Sequence, residues 1–80
     1  MFKEDTQGNT YYLSKSNREY QLLIGITNKG YTSDIVFIFK EATPEEMEKG
    51  YYGEVVDWVY DGFSDLSFIE QKILEHEKKN

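Results

Sequence analysis

Residues 54–62 read EVVDWVYDG, and whether they coil or extend decides the fold. As one helix running to residue 65, the stretch would line Glu54, Asp57, Asp61 and Asp65 along a single side, a stripe suited to a metal ion or a partner. Its composition points the other way. Val55, Val56, Trp58, Val59 and Tyr60 are β-branched or aromatic, Gly53 precedes them and Asp61-Gly62 closes the run. A strand is therefore expected, with Val56, Trp58 and Tyr60 on one face and Val55, Asp57 and Val59 on the other. Glu54 and Asp57 then diverge, Asp61 enters a turn and Asp65 begins the next helix.

Upstream, EYQLLIGITNKGYTSDIVFIFK (19–40) carries the period of a hairpin. Tyr20, Leu22, Ile24 and Ile26 alternate on one face, Asn28-Lys29-Gly30 supplies a turn, and Tyr31, Ser33, Ile35, Phe37 and Phe39 alternate on the return. Val36 and Ile38 load the opposite face of that second strand, which predicts a central strand covered at least partly on both sides. Before the hairpin, DTQGNTYYLS (5–14) reads as a turn feeding a short strand. After it, ATPEEMEKG (42–50) is a short helix with Thr43 as cap, Pro44 at the first position, Glu46 completing a capping box and Gly50 as the stop.

The closing segment SDLSFIEQKILEHEKKN (64–80) is an amphipathic helix. Leu66, Ile69 and Ile73 form its stripe and Leu74 widens it; Ser64 or Asp65 caps it, or a Ser67 to Glu70 box starts it one turn later. Lys78 and Lys79 suit its negative end, and Glu75 stands four residues before Lys79. The expected fold is α+β: a mostly antiparallel four-stranded sheet, in the order β-β-β-short α-β-α, with the C-terminal helix packed on one face. One domain is expected over residues 1–80.

Eighty residues leave room for one thin core, and a domain of this length buries only about 60% of its unfolded-chain surface. The absence of cysteine removes disulfides, zinc ribbons and thiol nucleophiles, and favours the cytoplasm. MFKEDTQGNT lacks the apolar centre of a signal peptide, and the run IVFIF (35–39) is far short of a membrane span. Charge is divided unevenly. Residues 1–40 carry a net +1 and residues 41–80 a net −7, giving −6 for the chain. Such a field repels a phosphate backbone, so direct nucleic-acid binding is not expected, whereas a basic protein partner is attracted.

Motifs for chemistry fail one by one. A calcium loop starting at Asp57 would need oxygen ligands where Val59 and Phe68 stand. GITNKGYT (25–32) has Lys-Gly where a P-loop needs Gly-Lys-Ser/Thr. Fifteen acids in this length generate carboxylate pairs by chance, so pairing alone does not indicate a hydrolase. His76, the single histidine, reads as an exposed helix residue with no triad around it. No enzyme, cofactor or metal is expected.

Seven tyrosines, five phenylalanines and one tryptophan are a surplus for so short a chain. The plain reading is that Phe37, Phe39, Trp58, Phe63 and Phe68 build the core while tyrosines cover its rim. GYYG (50–53) is the exception, because Tyr51 and Tyr52 stand between glycines beside the acidic helix as candidate anchors. Few alanines and arginines against abundant Lys, Ile, Tyr, Asn and Glu suggest AT-rich coding, as in an accessory protein of a low-GC bacterium or its phage.

Two functions follow. One is a small acidic cytoplasmic protein-interaction module, a homodimer joined by the sheet edge or the helix being one form of it. The other is an acidic inhibitor that mimics nucleic acid and occupies a basic cleft, against the plainer alternative of a solvated face. Partner-binding residues are expected among Glu45, Glu46, Glu48, Tyr51, Tyr52, Glu54, Asp57 and Asp61.

Overall fold

Alternating β-branched and aromatic residues, punctuated by Gly, Asn and Asp, give strands β1 (Phe2–Glu4), β2 (Thr10–Leu13), β3 (Glu19–Ile26), β4 (Thr32–Lys40) and β5 (Glu54–Tyr60). Two helices, α1 (Pro44–Glu48) and α2 (Leu66–Lys79), precede and follow β5. The structure, a computed structural model, describes residues 1–26, 30, 32–60 and 65–79. The expected turn residues Asn28 and Lys29, together with Tyr31, Asp61, Gly62, Phe63 and Ser64, lie outside the described residues. The strands form one antiparallel sheet in the order β1-β2-β3-β4-β5.

The class is α+β as expected, but the sheet has five strands where four were predicted. The additional strand, β1, is three residues long, too short to show a period. It is set by its hairpin: the Asp5 carboxylate accepts from the backbone N–H of Gln7 and Asn9, both at 2.9 Å, and Gly8 takes φ 83°. That turn brings Phe2 opposite Tyr12, edge to face at 4.9 Å between ring centroids.

Helix α1 begins as its sequence dictates. Thr43 Oγ1 accepts from the Glu46 N–H at 3.2 Å, and Glu46 Oε1 accepts from the Thr43 N–H at 2.9 Å. Gly50 at φ 91° ends it, with its N–H donating to the Met47 carbonyl at 3.0 Å. Of the alternatives for α2, Asp65 is the cap, accepting from the Ser67 N–H at 3.0 Å.

The core lies between one sheet face and α2. It comprises Tyr12, Tyr20, Leu22, Val36, Ile38, Ile69 and Ile73, with Phe2, Val56, Val59 and Leu66 against its margin. This corrects the expected core. Trp58 and Phe68 are exposed and Phe37 and Phe39 are half-buried, while two of the tyrosines expected at the rim are buried. Cross-strand pairing explains the exchange. Leu22 stands opposite Ile38 and Ile24 opposite Val36, so the Val36/Ile38 row joins the face that α2 covers and Ile35, Phe37 and Phe39 turn away from it. The helix stripe is also narrower than predicted, for Leu74 is exposed and His76 and Glu77 are half-buried in its place.

The decisive stretch 54–60 is a strand, but its faces are not those of strict alternation. Ile38 pairs with Asp57 and Phe39 with Val55, so β5 carries one extra residue at a bulge. Beyond the bulge the phase is reset. Val55, Trp58 and Tyr60 fall in the rows of Phe39, Phe37 and Ile35, and Glu54 and Asp57 fall in those of Lys40 and Ile38. Glu54 and Asp57 therefore share a face, contrary to the alternation argument. Asp57 Oδ2 accordingly lies 3.8 Å from Lys72 Nζ of the covering helix.

Candidate functional site

The expected partner-binding residues divide by how far the fold already engages them. Glu46 is taken up by its own capping box and by a forked ion pair with Arg18, whose Nη2 lies 3.3 Å from Glu46 Oε2 and whose Nη1 bonds Glu46 Oε1. The guanidinium beside it, then the Thr43 N–H, hold the Glu46 carboxyl down at about 2. Arg18 Nη1 also donates to the Glu41 carbonyl at 3.0 Å, tying the start of β3 to the segment before α1. Tyr51 is half-buried, donates to Glu54 Oε1 at 3.3 Å and lies under Lys40 Nζ at 5.9 Å. Glu45, Glu48 and Glu54 are exposed, as is Tyr52 at 71%; Asp57 faces Lys72, and Asp61 lies outside the described residues.

Gly53 holds this corner close to the sheet. Its φ is 99°, and a Cβ there would fall 2.6 Å from the Lys40 carbonyl oxygen and 2.7 Å from the Phe39 ring.

A cleft of about 270 Å³ opens where the first end of β3 meets the last turns of α2, lined by Ser16, Arg18, Tyr20, Lys40, His76 and Glu77. Its polar groups bond to one another. Glu77 Oε2 accepts from Tyr20 at 3.0 Å and from Ser16 at 3.1 Å, and His76 packs edge to face on Tyr20 at 6.3 Å. His76 is thus a half-buried packing residue and not the exposed one expected. Burial, then the bond to Glu77, pushes the Tyr20 hydroxyl well above an ordinary tyrosine. These bonds fasten the helix to the sheet. Among the described residues, no three His, Asp or Glu side chains gather to hold a metal ion.

The other sheet face is different in character. Its rows run Tyr11-Gln21-Phe39-Val55 and Leu23-Phe37-Trp58, with Ile35 beside Tyr60. Leu23 is 45% exposed, Val55 51%, Trp58 47% and Tyr60 64%; Trp58 and Tyr60 meet edge to face at 5.0 Å. A contiguous apolar patch on a small protein is the usual mark of an interaction surface. Strand sequence alone could not separate this face from the core, since the aromatic row reads as the more apolar of the two.

The fold and this face define a small antiparallel α+β protein, covered by a helix on one side and open and aromatic on the other. No family model, curated protein or solved structure matches the chain. Among the described residues, no helix is long and apolar enough to cross a membrane.

Proposed function

We propose that this chain is a small acidic protein-interaction module of the cytoplasm, without catalytic activity, and that it meets its partner through the open sheet face. The observation that carries this reading is the row Leu23-Phe37-Trp58 with Val55 and Tyr60, apolar side chains standing outward on the sheet face that α2 does not cover. Aromatic residues of this kind supply most of the binding energy at protein interfaces. The exposed Glu45, Glu48, Glu54 and Tyr52 stand in the adjoining chain segment, outside the aromatic rows.

The test is capture of host proteins by the intact chain, comparing wild type with Leu23→Glu and with a Glu45→Gln/Glu48→Gln pair. Loss with Leu23→Glu, and retention with the glutamine pair, is the expected result. The opposite pattern, joined to steep weakening by salt, would favour the nucleic-acid-mimicking inhibitor instead.

A further inference from the structure

We infer that the open sheet face is where a second copy of this chain docks, face to face, about a twofold axis. The inference rests on the module reading above and names its partner.

Charge distribution selects the occupant. The outward positions of β4 and β5 hold Ile35, Phe37, Phe39, Val55, Trp58 and Tyr60, with no ionisable acid or base beyond the tyrosine. At the margin, the outward rows carry Lys3, Glu19 and Glu41, the last continuing the Glu19 row just past β4, and Glu19 Oε1 accepts from Gln21 Nε2 at 2.7 Å. Those three sum to −1, so most of the −6 charge of the chain lies elsewhere. A basic partner would find no carboxylate along the aromatic rows to pair with. A second copy meets like with like, apolar on apolar, and keeps the two acidic surfaces apart. A twofold interface requires this self-complementary character, since the same patch serves both subunits.

Area is sufficient for the purpose. With strands ~4.8 Å apart and ~3.3 Å per residue, the outward side of this sheet offers on the order of 600 Å² per copy, or about 1,200 Å² in all, the lower end of stable interfaces. Two such sheets pack as an aligned sandwich about 10 Å apart, with Trp58 and Phe37 of each copy inside. Area alone does not fix affinity, so the assembly is read over a range of concentrations.

Trp58 is the chain's only tryptophan and belongs to the face, so its emission reports the contact directly. The experiment is sedimentation of the full chain, with Trp58 fluorescence read in parallel, from about 1 μM to about 100 μM. The expected mass rises from 9.5 kDa toward twice that value, and the Trp58 emission shifts to the blue over the same range. Leu23→Glu and Val55→Glu, both at exposed positions, each keep the circular dichroism of the fold, stay monomeric and leave Trp58 in water.

A chain that is monomeric throughout, with Trp58 always in water, overturns the inference. If Leu23→Glu still abolishes capture of a host protein in that case, the second copy is wrong and the module reading stands. A dimer that persists in both variants places the contact at an edge or on the helix, and again overturns it. If neither self-association nor capture responds to Leu23→Glu, both readings fall together.

Discussion

The Tyr20 hydroxyl on β3 donates to Glu77 Oε2 on α2 at 3.0 Å, and it does so from a side chain that is otherwise fully buried. Tyr12, on the neighbouring strand, is buried too, and after burial the nearby Glu70 carboxylate, one heptad earlier on the helix, raises its hydroxyl pKa further. Both rings fill the core, and the Tyr20 hydroxyl fastens the helix to the sheet. Non-directional apolar packing would let α2 slide or rotate over the sheet; the directional Tyr20–Glu77 bond opposes both motions.

Tyr20→Phe should therefore cost about 1.5–3 kcal/mol, the range for a hydrogen bond to a charged group, with little change in packing. The folded chain holds this hydroxyl proton to higher pH than an unfolded tyrosine, which ionises near ~10. Above that pH the unfolded chain releases a proton that the folded chain retains, so stability is present below about pH 10 and declines as pH rises further. Urea unfolding between about pH 8 and pH 11 should show a shallower alkaline decline in Tyr20→Phe than in wild type. Equal slopes would mean that the hydroxyl is not held as described.

Glu46 acts at the other end of the pH scale. Its carboxyl is held at about 2, first by Arg18 and then by the Thr43 N–H. Between the ordinary glutamate value of 4.5 and about 2, the unfolded chain binds the proton and the folded chain does not. Stability from this group is thus complete above pH 4.5 and is lost as pH falls toward 2. Carbon-detected titration of Glu46 should give the low midpoint, and Arg18→Gln should raise it toward the ordinary value. A midpoint unaffected by Arg18→Gln would rule out the ion pair as its cause.

Gly53→Ala should destabilise the fold by roughly 2–3 kcal/mol, because an added Cβ meets the Lys40 carbonyl and the Phe39 ring and the backbone is left-handed there. Gly50→Ala, also at positive φ but with open space around it, should cost only about 1 kcal/mol. Thermal melts of the two variants compare them directly; equal losses would show that crowding at Gly53 is relieved by movement of the corner.

Ile73 and Leu74 are neighbours on α2 with opposite fates, one fully buried and the other exposed. Ile73→Ala should cost about 2–5 kcal/mol, and Leu74→Ala less than about 1 kcal/mol. For a chain with so thin a core, the first loss could approach the whole stability, so Ile73→Val, at about 0.5–1.5 kcal/mol, supplies the measurable step.

Local chemistry decided much of this protein on its own. The capping box at Thr43 and Glu46, the stop at Gly50, the hairpin alternation from Tyr20 to Phe39 and the strand at 54–60 all depend on residues within a few positions of one another, and each is legible from spacing. The orientation of the sheet is not local. Either face of β4 could have been covered; cross-strand pairing with Leu22 and the reach of Tyr12 and Tyr20 to α2 chose the Val36/Ile38 side and left the aromatic row open. The bulge in β5 was equally hidden, because one extra residue leaves composition unchanged while reversing the side on which every residue before it stands. Alternation tells which residues go together, and only the packing of one element on another tells which set is buried. The candidate interaction face therefore emerges from the tertiary structure, since Phe37, Phe39 and Trp58 within it read in sequence as the core.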